Sequence, residues 1–148
     1  MRKGVRLSLD LGEVRIGIAK CDPDGILASP VQVSTPASIE NDLANLIAEY
    51  SPIEIIVGLP IDLRGVSGIS AENVRMKVAD LVEKFPHLPF RVVDERLTTK
   101  VARSQLQASG VGTRDDKNLI DAVAASVLLE DALEYERRNG SAPGQVWQ

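Results

Sequence analysis

Cysteine is almost missing from this chain: Cys21 is the only one among 148 residues. No internal disulfide can form, and so sparse a usage fits a reducing compartment. Aromatic residues are scarce as well, at 3%. That argues against an RNA-binding sheet surface built on stacked aromatics. There is no basic excess. Lys and Arg number 17 against 21 Asp and Glu, a net charge of −4, with a pI near 5.0. A general nucleic-acid binder usually shows the opposite balance. A nuclease remains open, because cations bound at an acidic site supply positive charge locally. No apolar run is long enough to span a membrane, and none follows Arg2, Lys3 and Arg6 as in a signal peptide. Repeats, low-complexity tracts and internal linkers are absent too. The expectation is one soluble, cytoplasmic domain, able to bury roughly 70% of the surface its unfolded chain exposes.

What is present alternates in a readable way. Val5, Leu7, Leu9 and Leu11 share one face of a strand over 5–11, with Arg6, Ser8 and Asp10 on the other. Gly12-Glu13-Val14 turns the chain into a second strand, Arg15 to Cys21. Asp22-Pro23-Asp24-Gly25 is a turn sequence, and residues 26–33 return as a third strand that Pro30 confines to an edge. Ile39, Leu43, Leu46, Ile47 and Tyr50 predict a helix with Ser38 as its N-cap. Ile53 to Pro60 is apolar on both faces and belongs in the middle of a covered sheet. Residues 61–69 form a glycine-containing loop. A second helix places Val74, Val78, Leu81, Val82 and Phe85 inward, and Phe90 to Val93 forms the last strand. A short helix over 101–108 and a long one after Asp115-Asp116 complete the domain, with Arg137 and Arg138 suited to the negative helix end. The fold class predicted is α/β, a mixed five-stranded sheet with helices on both faces. Residues 1–138 form the domain. Residues 139–148 are expected to be a flexible tail, with Trp147 outside the fold.

Three carboxylates interrupt the apolar pattern. Asp10 ends one apolar run, Glu95 ends another, and Asp121 lies on the inner face of the alanine-rich segment Leu119 to Ala125. A carboxylate beside buried apolar residues costs free energy unless it is paired or binds a cation. Each has an ordinary alternative: a turn-forming Asp10, a solvated Asp94-Glu95-Arg96 patch, an ion pair of Asp121 with Lys117. Together they suggest a hard-metal site and phosphodiester chemistry. Arg15 is either a substrate contact or a partner for Glu13. His87, between prolines, is expected to be bystander surface, and Cys21 a small buried residue.

Four segments resemble the YqgF family of RNase H-like nucleases, also described as Holliday-junction-resolvase-like. They are Leu9-Asp10-Leu11-Gly12 with Arg15-Ile16-Gly17-Ile18-Ala19, Ile56-Val57-Gly58-Leu59-Pro60, Val93-Asp94-Glu95-Arg96-Leu97-Thr98-Thr99, and Ile120-Asp121-Ala122-Val123-Ala124-Ala125. The likeness spans nearly all of residues 5–135, and the Asp-Glu-Arg-Leu-Thr-Thr run is its most specific element. Glu13-Val14 departs from it, since the family commonly carries a small or hydroxyl residue and then a basic one there.

The resemblance implies an RNase H-like fold with Asp10, Glu95 and Asp121 as catalytic, metal-binding acids in a two-metal mechanism. Mg²⁺ or Mn²⁺ suits such oxygen ligands. Asp10 is the natural bridging ligand, and Asp94, on the other strand face, supports from behind. Arg96, Thr98 and Thr99 can hold a phosphate, and Arg15 and Arg64 are further substrate contacts. Lys100, Arg103, Arg114 and Lys117 extend a basic rim. The expected function is endonucleolytic maturation of the 5′ end of precursor 16S ribosomal RNA, with the ribosomal subunit a candidate partner. A four-way DNA junction is the alternative substrate. Resolving it favours a stable two-fold dimer, whereas this chain is expected to be a monomer or weak dimer. Two rivals of other classes are an actin- or sugar-kinase-type ATPase, which needs two such domains, and a non-catalytic RNA- or ribosome-binding module.

Overall fold

The computed structural model describes residues 1–60, 69–94 and 117–148. The first three strands, β1 (Arg6–Leu11), β2 (Ile16–Cys21) and β3 (Ala28–Ser34), form an antiparallel meander. Helix α1 (Ile39–Tyr50) leads to β4 (Glu54–Leu59), and α2 (Ile69–Lys84) leads to β5 (Phe90–Asp94). Both strands run parallel to β1, in the order β3-β2-β1-β4-β5-β6. Helix α3 (Lys117–Asn139) follows, and β6 (Gln145–Val146) closes the sheet antiparallel to β5. The sheet is mixed, as expected, but has six strands rather than five.

The alternation within β1 sorts the layers. Leu7, Leu9 and Leu11 join Ile16, Ile18, Ile55 and Val57 under α1 and α2, together with Leu43, Val74, Val78 and Leu81. The opposite face packs α3, where Leu128, Leu129, Ala132 and Leu133 meet Cys21, Ile56 and Val93. Burying each such Leu or Val side chain contributes about 1.5–3 kcal/mol. All six residues of β4 are buried, as its two-sided apolar sequence requires. Pro30 is exposed on edge strand β3, where the register slips between Ile18 and Ala19. One extra residue there accommodates a residue that cannot donate to the ladder. Ser38 occupies the N-cap position of α1 but makes no side-chain cap bond, because its hydroxyl is engaged with Thr35. Cys21 is buried and His87 exposed, both as expected.

The tail departs from expectation. Gln145 and Val146 pair with Val92 and Arg91, the Trp147 amide donates to the Phe90 carbonyl at 2.7 Å, and Trp147 packs against the larger core cluster. Gly144 makes this possible. Its φ is +69°, and a Cβ there would overlap the Val92 carbonyl.

Below α3, at the end where β1 begins, lies a buried ionic network. Arg6 and Glu54 are each 1% exposed and Glu136 3%. Arg6 Nη2 donates to Glu136 Oε2 at 2.7 Å. Arg2 bridges both acids, with Nη2 2.8 Å from Glu54 Oε1 and 2.6 Å from Glu136 Oε1. Arg91 adds Nε to Glu54 Oε2 at 3.1 Å and Nη1 to the Pro143 carbonyl at 3.2 Å. Among the described residues no buried side-chain nitrogen or oxygen is left without a partner. That is the condition under which a charged interior is tolerated.

Candidate active site

The parallel relation of β1, β4 and β5 places their carboxyl ends on one edge of the sheet. Open α/β sheets bind ligands at that edge. Asp10 sits at the end of β1, Gly58 and Leu59 at the end of β4, and Asp94 at the end of β5.

The register of α3 against β1 brings the second acid there. Arg6 meets Glu136, and the Ser8 hydroxyl donates to the Ala125 carbonyl at 2.7 Å. The helix therefore runs opposite to the strand. Two residues beyond Ser8 is about 6.6 Å along a strand; four residues along a helix is about 6 Å. The Ser8 anchor accordingly directs Asp10 toward the turn of α3 that carries Asp121. The same face of β2 is narrow, carrying Gly17 and Ala19, and Gly17 is the register partner of Asp10. A Cβ on Gly17 would overlap the carbonyl of Asp121. The helix backbone rests directly on the strand, as the small residues Ala122 and Ala125, both buried, allow.

Arg15 takes a partner that lies far from it in sequence. Its Nε donates to Asp121 Oδ2 at 2.6 Å. The arginine therefore pairs with Asp121 across the turn, and not with Glu13. The pair is open to solvent, with the Arg15 side chain 41% exposed and Asp121 25%. The turn itself is held from two sides. The Gly12 amide donates to the Arg15 carbonyl at 3.0 Å, and Lys77 Nζ of α2 donates to the Gly12 carbonyl at 2.8 Å. Sequence reasoning singled out neither Gly17 nor Lys77. A glycine facing an alanine-rich helix was the available signal for the first.

Asp10 and Asp121, both half-buried, thus come to the same edge of the sheet, and both carry the hard oxygen donors that Mg²⁺ prefers. Asp94 also reaches this edge, from β5. Glu95, Arg64, Arg96, Thr98, Thr99, Lys100, Arg103 and Arg114 lie outside the described residues, as does the side chain of Lys117. Among the described residues no group of three His, Cys, Asp or Glu side chains is placed to hold a metal. The carboxylates of Asp10 and Asp121 are of the donor type that an oxygen-ligated cation takes.

Known proteins resemble the chain over most of its length. A family model described as "RuvX: Holliday junction resolvase" matches residues 4–135. A protein of Streptomyces coelicolor named "Putative pre-16S rRNA nuclease" is 46% identical, over 98% of this chain and 89% of its own length. Proteins of the same name from Mycobacteroides abscessus (45% identical, 94% and 86% covered) and Thermobifida fusca (41% identical, 99% and 97% covered) are similar as well. Among solved structures, Thermus thermophilus RuvC in complex with a Holliday junction superposes with a TM-score of 0.60 at 16% identity, covering 97% of this chain and 99% of that one. A second structure of the same protein gives 0.53. At that identity the likeness is one of fold, and the fold is RNase H-like.

Proposed function

The chain belongs to the RuvX family, and from that membership we propose that it is a metal-dependent endonuclease that matures the 5′ end of precursor 16S ribosomal RNA. The observation that carries the reading is that Gly17, the register partner of Asp10, lies against the Asp121 carbonyl at the carboxyl edge of the sheet. Two partly exposed carboxylates on rigid elements are a weak structural asset and a good cation site. The named relatives are 41–46% identical over nearly the whole chain, which favours ribosomal RNA as the substrate.

In this proposal Asp10, Glu95 and Asp121 are the catalytic acids and would hold the metal. Mg²⁺ or Mn²⁺, when bound, supplies charge stabilisation at the scissile phosphate and a more acidic water. The protein's own part is positional. Gly17 lets α3 close on the sheet, Lys77 and Gly12 fix the turn, and Asp94 braces the end of β5. Arg15, Arg64, Arg96, Thr98 and Thr99 hold the nucleic-acid backbone. No described helix is long and apolar enough to cross a membrane. We place the protein in the cytoplasm, as a monomer or weak dimer that meets its RNA on or near the ribosomal subunit.

A side-by-side cleavage assay tests this. Wild type and Asp10→Asn are incubated with Mg²⁺ or Mn²⁺ and either a labelled precursor 16S 5′ end or a four-way DNA junction. Metal-dependent cutting of the RNA by wild type alone is expected. Cutting of the junction alone moves the reading to DNA recombination, the substrate that the family description favours. No cutting of either by folded protein moves it to a binding module.

A further inference from the structure

The ion pair between Arg15 and Asp121 occupies one of the two carboxylates that the proposed function assigns to a divalent cation. We infer that Arg15 is an internal counter-ion for the metal site: it holds Asp121 until a divalent cation takes that carboxylate, and its guanidinium then passes to the nucleic-acid backbone. The inference rests on the reading of Asp121 as a metal ligand.

Three features of the geometry support the exchange. First, the pair is held by one contact, Nε to Oδ2 at 2.6 Å, out of the five N–H donors a guanidinium carries. A bidentate fork would be harder to displace. Second, both side chains reach solvent, at 41% and 25% exposure. An ion pair so placed is weak and yields to a competing doubly charged cation. Third, the two backbones are anchored independently. The Arg15 carbonyl accepts from Gly12 at 3.0 Å, and the Asp121 carbonyl abuts Gly17. The exchange therefore needs only rotation of the Arg15 side chain, with no movement of strand or helix. Once displaced, the guanidinium stands at the rim of the same edge and retains all its donors for a phosphate.

The consequence is a carboxylate that is neutralised in the metal-free protein without being closed to the metal. Arg15 supplies that neutralisation at Asp121 and becomes available to substrate once a cation replaces it.

The test is Mn²⁺ titration of the full-length protein, read by electron paramagnetic resonance of free Mn²⁺, without nucleic acid and at low salt. Arg15→Gln is expected to bind Mn²⁺ roughly two- to five-fold tighter than wild type, the fold-change that loss of one exposed ion pair implies. Arg15→Lys, which keeps a cation there, is expected to stay near wild type. Lys77→Gln removes the same charge from α2 beside that turn, without contact to Asp121, and is expected not to tighten binding. Equal or weaker binding by Arg15→Gln overturns the inference. So does equal tightening by Lys77→Gln, which reduces the effect to the general field. Asp121→Asn separates the two readings. If it leaves the isotherm unchanged, Asp121 is no ligand and both readings of this residue fall. If it weakens binding while Arg15→Gln does nothing, only the counter-ion falls. The second half is read by filter binding of precursor RNA with and without Ca²⁺. The cation is expected to raise RNA affinity more in wild type than in Arg15→Gln, and equal increments overturn the release.

Discussion

The β-carbon that Gly17 lacks would lie on the carbonyl of Asp121. Gly17 is also the residue paired with Asp10 across the first hairpin. One absent methyl group therefore sets how near the two acids can come.

Gly17→Ala is expected to push α3 off the sheet. Overpacking of this kind costs about 1–3 kcal/mol, and a displacement near 1 Å at a catalytic constellation costs on the order of 100-fold in rate. Thermal melting and single-turnover cleavage check the two together. Full activity in a stable Gly17→Ala protein would show that the approach of α3 is not what assembles the site.

Asp10→Asn, Glu95→Gln and Asp121→Asn are each expected to lower cleavage by about 100-fold or more, since even residues one step removed from a metal cost 10–100-fold. The fold should persist. For Asp121 the lost pair with Arg15 is half-exposed and contributes about 1 kcal/mol at most, a shift in Tm of about 2–4 °C. Melting curves without metal measure this. A large fall in all three would make the acids structural.

Acid stability should depend on Glu54. Burial alone would push its carboxyl up, but hydrogen bonds and charge from Arg2 and Arg91 outweigh that and hold it below its ordinary 4.5. A lowered folded-state value means the stabilisation is present above about 4.5 and is lost as pH falls through the lower folded value. Denaturant midpoints should therefore drop on acidification below about pH 4.5, and Glu54→Gln should flatten that drop. An unchanged slope in the variant would assign the acid sensitivity to other carboxylates.

Glu136→Ala leaves Arg6, 1% exposed, without its carboxylate partner. Removing one member of a buried pair costs about 3–5 kcal/mol. Urea titration is the measurement, and a cost below about 1 kcal/mol would mean that water reaches Arg6 in the variant.

Trp147 is the only tryptophan and packs on the larger core cluster. Its fluorescence is expected to report global unfolding, with a transition that coincides with circular dichroism at 222 nm (about the helix minimum). Trp147→Ala should destabilise by about 1–3 kcal/mol, less than a fully buried aromatic. A fluorescence change that precedes loss of helix would show the tail detaching by itself.

How much of this was legible beforehand follows from the range of each interaction. The meander, the two crossover helices and the two-faced burial of β4 were legible, because period-two and period-3.6 patterns are local. The tail was not. A strand of two residues, Gln145 and Val146, carries no period, and its partner strand lies more than fifty positions upstream. Asp10 and Asp121 stood out because carboxylates break apolar patterns. Their pairing did not, since Arg15 and Asp121 are 106 positions apart and each had a plausible partner of opposite charge close by. The same applies to Arg6 and Glu136, separated by 130 positions. Arg2 and Arg6 stood out in the sequence only as basic residues near the N-terminus.

The order of elements also governs when the chain can act. Asp10 lies on β1, which sits inside the sheet and waits for β4 on its other side. Asp121 comes only with the last helix, which must cross back over β1, β2 and β3 before the acids meet. Contacts of such long range form late. A nascent or prematurely terminated chain carries one acid without the other. On the proposed reading of these two acids, a chain that lacks α3 would hold an incomplete site and would not cut.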